Sequence, residues 1–382
     1  MADIALAWLV LDLTDSAVRL GLAMTMRFGP SLVFSLFGGV LADRLPKRRI
    51  LMTTQIVLMV QALAMAVLTS TSLITMTLVY ALALVRGVAE AIDIPTRQAF
   101  VPELVGPDDV QNAVALNASQ FNAARIVGPA IGGVLVSTVG VAVCFWVNGL
   151  SFLPVLASLA LLRSADLHPV KRAVGAGVLR QVGEGLRYAR RTPDVALLLG
   201  MVAVVGMFGY NFTVMLPLLA RYGLGTGPRG LGALTAAMGV GSLVGAIFVA
   251  ARGRPTRRSV LTGAGGFSAV LLLLGLAPNE VTAVAVLLVM GFFGILFLTS
   301  ANSRVQLIVP GELRGRVMSI YALLFIGTTP IGSLIVGSLA ARQGIRLTIM
   351  ELASVCMVGV GVSLLAVLRL RRRVSNPLPD LA

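Results

Sequence analysis

The chain alternates long apolar runs with short polar knots, and run length decides what each run is. A helix rises about 1.5 Å per residue and a bilayer core is about 30 Å thick, so roughly 20 apolar residues cross it. Runs of that kind lie near 17–42, 50–69, 73–94, 110–137, 141–162, 195–219, 229–251, 259–277, 281–302, 315–341 and 345–368, after a shorter one at 1–13. The pattern predicts an all-α membrane protein with twelve transmembrane helices. Its first helix is truncated at the N-terminus, since 13 residues reach only ~20 Å, and the natural start is expected upstream of Met1. One polar segment interrupts the series. Residues 163–194, with Arg180, Glu184, Arg187, Arg190 and Arg191, read as an amphipathic surface helix in a linker. The expected organisation is a six-helix half over 1–162, a cytoplasmic linker over 163–194, a second six-helix half over 195–370 and a cytoplasmic tail over 371–382.

Composition excludes much. The 382 residues are 57% hydrophobic and 12% charged, against roughly 25% charged in soluble domains, and the mean hydropathy is +0.93. A net charge of +15 would suit a nucleic-acid binder if the bases gathered on a polar domain, but none is present, so no nucleic acid is expected. With the N-terminus in the cytoplasm, 23 of the 31 Lys and Arg fall in inner loops and five in outer loops. That asymmetry predicts a multi-pass protein of the inner (plasma) membrane, both termini cytoplasmic, its bases facing anionic lipid. The one histidine, His168, sits in a polar loop, so no His-based metal or catalytic cluster can form. HExxH, GxSxG and GxxxxGK[ST] patterns are missing, which argues against an enzyme and against a built-in ATPase. Cys144 and Cys356 lie in apolar runs of opposite halves and read as buried thiols.

The halves echo each other. "RQAFVPELVGPDDVQNAVAL" (97–116) corresponds to "RVQLIVPGELRGRVMSIYAL" (304–323), "VGPAIGGVL" (127–135) to "TTPIGSLIV" (328–336), and "PKRRIL" (46–51) to "PTRRSVL" (255–261). The offsets Pro102–Pro310, Pro129–Pro330 and Arg48–Arg257 are 208, 201 and 209. Parallel repeats of this kind are a transporter architecture, with the site between halves near the midplane.

The knot "GGVLADRLPKRR" (38–49) places an acid and several bases between two apolar runs. Its Gly39, Asp43, Arg44, Lys47 and Arg48 resemble motif A of the major facilitator superfamily, with Pro46 where that family usually has glycine. Arg125 through Gly133, with Gly128, Pro129, Gly132 and Gly133, resembles the family's antiporter motif of helix five. "ALAWLVLDLTDS", "IDIPTRQAFVPELV" and "NASQFNAARIVGPAIGG" are similar to the branch of enterobactin exporters and macrolide-efflux proteins. The resemblance implies a major facilitator fold. It also implies that Asp43 docks on the N-terminus of helix eleven when the inner gate is closed, a positive dipole end. Gly128 and Gly132 form a small-xxx-small pair beside Pro129, which bends the helix.

Ionisable residues inside spans are candidate functional groups. Arg27 lies in helix two, Arg86 and Glu90 in helix four, four residues apart and able to pair, and Arg125 in helix five. Asn117 and Gln120 make helix five too polar to face lipid, so it is expected to line the path. Asp3 and Glu90 are the proton candidates, and Asp93 reads as a solvated loop residue. Tyr210, Asn211, Asn302 and Tyr321 could add polar contacts or simply pack. The resemblance and the repeat together imply a monomeric, proton-coupled exporter (antiporter) of small amphiphilic molecules such as drugs, macrolides or siderophores. It would work by alternating access, with the proton gradient as energy source and no cofactor. A lipid or lysolipid carrier on the same fold and a degenerate inactive relative are the alternatives.

Overall fold

The computed structural model describes residues 1–106, 109–163, 167–168, 178–253 and 256–375. The side chains of Val33, 35–44, 114–115, 118–119, 121–122, 125–126, 178–182, 326 and 367–375 lie outside that description. Helices joined by short turns make up the described residues, with no strand among them. The part of the chain before residue 163, called the first half below, holds α1 (Ala2–Thr14), α2 (Ala17–Arg44), α3 (Lys47–Ser70), α4 (Met76–Val105), α5 (Val110–Val139), α6 (Val141–Leu150) and α7 (Phe152–Leu161), and the part after residue 192 is called the second half. Helix α8 (Val178–Arg191) follows. The second half holds α9 (Pro193–Val204), α10 (Phe212–Leu218), α11 (Gly227–Arg252), α12 (Arg257–Leu276), α13 (Glu280–Ile308), α14 (Gly311–Ile326), α15 (Thr329–Gln343) and α16 (Ile345–Ser375).

Among the described residues, eight segments are long and apolar enough to cross a membrane: Lys47–Ser70, Val141–Leu161, Pro193–Leu224, Gly227–Arg252, Arg257–Leu276, Glu280–Ile308, Gly311–Gln343 and Ile345–Ala366. Helices α2, α4 and α5 have 28, 30 and 30 residues, longer than the roughly 20 a bilayer requires. Local chemistry sets the ends. Asn279 and Thr282 close a capping box at α13, and Thr75 and Thr256 cap α4 and α12 by accepting from Leu78 and Ser259 N–H groups. Both cysteines are buried and unpaired, as expected.

Three expectations change. First, α4 does not stop at residue 94; it runs through Pro95 and Pro102 to Val105, so Asp93 and Arg97 are helical. Asp93 is 3% exposed, not a solvated loop residue. It accepts from Thr54 Oγ1 at 2.7 Å and Gln55 Nε2 at 2.8 Å on α3, and from Arg97 Nη2 at 2.5 Å. Burying a carboxylate is costly unless it is paired and hydrogen-bonded, and here three donors satisfy it. Asp93→Leu therefore leaves Thr54 and Gln55 without their acceptor. It is expected to cost about 2–4 kcal/mol, read as a lowered melting temperature in detergent.

Second, the span expected at 195–219 is not one continuous α-helix. After α9 come a π-helical turn (Val205–Gly209), a break at Tyr210–Asn211, α10 and a second π-helical turn (Leu219–Leu224). Asn211 is fully buried and plugs the break, its Nδ2 donating to Met207 O at 2.6 Å. Third, the span expected at 315–341 breaks at Gly327–Thr328, between α14 and α15, and the one expected at 141–162 is interrupted at Ser151, between α6 and α7.

Small residues decide how the halves meet. A Cβ on Gly133 would lie 2.5 Å from Gly232 Cα, and one on Gly21 2.6 Å from Ser333 O. Only backbones without side chains approach this closely, so α5 packs on α11 and α2 on α15. Thr25 Oγ1 adds a donor to Pro330 O at 2.9 Å. These contacts, with Gly337 on Ala17, lie between the Asp15 end of the helices and their middle. Among the described residues, the glycine contacts between halves extend no further than Gly327 against Leu32.

Candidate functional site

Helix α1 is enclosed almost all round, with Ile4 through Leu11 buried. A helix buried on every face lies inside a bundle, and its first turn brings Asp3 against two arginines. Arg27 Nε lies 2.8 Å from Asp3 Oδ1 and its Nη2 3.4 Å from Glu90 Oε2. Arg86 Nη1 lies 3.1 Å from Asp3 Oδ1, and Arg86 Nε 2.8 Å from Glu90 Oε1. Four charged side chains from α1, α2 and α4 thus close one ring, and their formal charges cancel. The expected Arg86–Glu90 pair exists, but it is one edge of that ring. Arg27 also stands over the Phe28 ring at 4.3 Å.

The ring has a face. The Arg27 and Arg86 side chains are 6% and 16% exposed, Glu90 and Asp3 25% and 40%. The guanidiniums are the more enclosed side of the ring and the carboxylates the more exposed side, though Asp3 Oδ1, which meets both arginines, is itself buried. With both ionised the ring is neutral. With one protonated it carries a net positive charge, which low-dielectric surroundings penalise.

The antiporter-motif residues divide between two neighbours. Gly132 faces the start of α1, where a Cβ would come within 2.9 Å of Met1 Cα, and Gly128 faces the same residue at 3.7 Å. Gly133, one position on, faces α11, and the Pro129 carbonyl lies against Gly232. Adjacent positions on a helix point about 100° apart, so this one glycine cluster seats two different helices. Asn117 and Gln120 are exposed on α5. The Arg125 side chain lies outside the described residues.

The motif A knot is partly described. Its backbone is helical through Arg44, but the surroundings of Gly39 and the side chains of Asp43 and Arg44 lie outside the described residues. Lys47 Nζ meets Glu103 Oε1 at the end of α4 at 2.5 Å. Arg48 donates to the last carbonyls of α7, Leu159 O at 2.7 Å and Ala160 O at 2.8 Å. A cation at a helix C-terminus meets its unpaired carbonyls and the negative dipole end. In the second half, Arg257, the echo of Arg48, instead pairs with Asp194 at the start of α9.

Of the second-half candidates, Asn302 accepts from Gln306 Nε2 at 2.7 Å and Tyr321 donates to Leu298 O at 3.2 Å, both within the same half. Tyr210 stacks on Phe267 at 4.9 Å and meets Phe212 and Phe325 edge-on. These aromatics surround the break in the Pro193–Leu224 segment, and no spacing in the sequence marks them as a group. The link from Arg86 to Asp3 was equally hidden, because it joins residues on different helices.

A family model described as transmembrane secretion effector matches residues 1–378. The chain belongs to the major facilitator superfamily. It is 27% identical over 379 residues to the multidrug efflux pump Tap of Mycolicibacterium fortuitum, covering 96% of this chain and 91% of that one. It is 26% identical over 367 residues to the enterobactin exporter EntS of Shigella boydii serotype 18, covering 94% and 84%. Among solved structures, a mutant of the nucleoside transporter NupG superposes with a TM-score of 0.75 at 11% identity, over 95% of this chain and 94% of that one. A POT family transporter superposes with 0.73, also at 11% identity, over 95% and 92%. At such identities the structural likeness speaks for the fold alone. The major facilitator protein described here is therefore a multi-pass membrane transporter and not an enzyme, and the ion ring and the glycine contacts sit inside a transporter fold.

Proposed function

We propose that this protein is a proton-coupled exporter of small amphiphilic molecules. In this reading twelve helices form two six-helix halves that rock about a central site, and the chain works as a monomer with both termini in the cytoplasm. The observation that carries it is the ring of Asp3, Arg27, Arg86 and Glu90, with its carboxylates outermost. A charged group inside a membrane span is expensive and marks an ion or substrate path. Here the net charge changes with one proton, so protonation of Asp3 or Glu90 alters how firmly α1, α2 and α4 hold together. The contacts between halves favour the same reading, because among the described residues the closest glycine contacts gather toward the Asp15 end. The efflux relatives favour outward transport.

The test is efflux from proteoliposomes loaded with one of three probes: ethidium, erythromycin or a catecholate siderophore. A proton gradient is expected to drive export of at least one probe, and a protonophore to remove it. Glu90→Gln is expected to reduce gradient-driven export by tenfold or more, about the effect of 1.4 kcal/mol, at unchanged protein level. Export that survives the protonophore would rule out proton coupling.

A further inference from the structure

The Asp15 end carries a polar junction that neither motif nor repeat announced. Arg221 Nη1 donates to Asp12 Oδ1 at 2.6 Å and its Nε to Asp15 Oδ1 at 3.0 Å, while the Tyr222 hydroxyl donates to the same Asp15 oxygen at 2.9 Å. Asp12 and Asp15 belong to the end of α1, Arg221 and Tyr222 to the π-helical turn after α10, so every one of these bonds crosses between the halves. Arg221 also stands over the Trp8 ring of α1 at 5.6 Å.

An isolated exposed ion pair contributes little, but both arms of this one are set in place. Asp15 has φ 47° and ψ 37°, a left-handed conformation that favours glycine and is disfavoured for other residues. Its N–H donates to Leu11 O at 2.8 Å, closing the helix as a C-terminal glycine would. An aspartate here forgoes the easier residue and gains a carboxylate aimed across the junction. On the other side, Arg346 acts as a positioning residue. Its Nη2 donates to Gly223 O at 3.0 Å and its Nη1 to Ala277 O at 2.5 Å, tying the turn that bears Arg221 and Tyr222 to the end of α12.

We propose that Asp12, Asp15, Arg221 and Tyr222 form a latch that holds the two halves together at the Asp15 end and that must break before this end can open. The proposal rests on the alternating-access reading above. The latch lies at the rim of the same interface that Gly21, Gly133, Gly232 and Gly337 close by packing. Glycine packing lets the helices meet; the latch sets how often they part.

The test uses the full chain in proteoliposomes, with Cys144 and Cys356 replaced by alanine and a single reporter, Ser333→Cys. Ser333 is fully buried on α15, its backbone carbonyl against Gly21 of α2 and its hydroxyl directed to Asn211. A membrane-impermeant maleimide added from the Asp15 side should label the reporter slowly. Arg221→Gln and Asp15→Gly are each expected to raise the labelling rate about fivefold or more as the open population grows. Asp15→Gly keeps the left-handed turn without its steric cost, so its melting temperature should not fall, which separates a lost latch from a lost fold. If labelling responds to an imposed proton gradient yet neither variant changes its rate, the latch is overturned and packing alone closes this end. If labelling responds to no gradient, ligand or variant, the opening itself is overturned, and the alternating-access reading with it.

Discussion

Arg27→Leu is expected to abolish transport and to destabilise the fold by about 3–5 kcal/mol, the usual consequence of removing one partner from a buried ion pair. Arg27 is 5% exposed and is the side chain that joins α2 to both Asp3 and Glu90. Without it, two carboxylates share one guanidinium, and the ring carries a net negative charge inside the helix bundle. Arg27→Lys should recover part of the stability but little of the transport. One ammonium cannot reproduce the planar fork that serves two carboxylates. Melting in detergent and efflux in proteoliposomes check the two parts separately. A fully active Arg27→Leu protein would remove the ring from the mechanism.

Gly133→Leu is the second large effect. Its Cβ alone would fall 2.5 Å from Gly232 Cα and 2.9 Å from Pro228 O, both backbone atoms that cannot rotate away. The helices α5 and α11 must separate. Overpacking costs about 1–3 kcal/mol, occasionally more, and transport should fall to background because the Asp15 end no longer closes. Gly232→Leu should behave alike, since the contact is reciprocal. Gly29 supplies the control. A Cβ there meets nothing within 4 Å, and removing a glycine from a helix stabilises by about 0.4–1 kcal/mol. If Gly133→Leu and Gly29→Ala gave equal transport, close packing of α5 on α11 would be irrelevant to function.

Much of this was legible in the order of residues. The apolar runs located the helices because crossing a bilayer demands a fixed length of apolar chain. The echo of "VGPAIGGVL" in "TTPIGSLIV" was legible as a repeat, but that α5 packs on α11 and α15 on α2 was seen only in the structure. Arg27 and Glu90 stood out as charges in apolar runs. The reading of Asp93 failed because a carboxylate near the end of an apolar run looks the same in sequence whether water or Thr54 and Gln55 satisfy it. The breaks at Tyr210–Asn211 and Gly327–Thr328 were missed because both interrupted segments remain apolar on either side.

The amino-acid sequence by itself determined the class of the molecule, an all-helical membrane transporter of the major facilitator superfamily. It also marked which charged residues could matter, because hydropathy and motif spacing are properties of neighbours along the chain. The tertiary structure alone decided which charges meet. Asp3 and Arg86 lie on helices separated by two others in sequence, and Asp15 and Arg221 lie in opposite halves. Ion pairs form through space between the faces that helix packing turns toward each other, and that packing is settled by where glycine lets backbones touch.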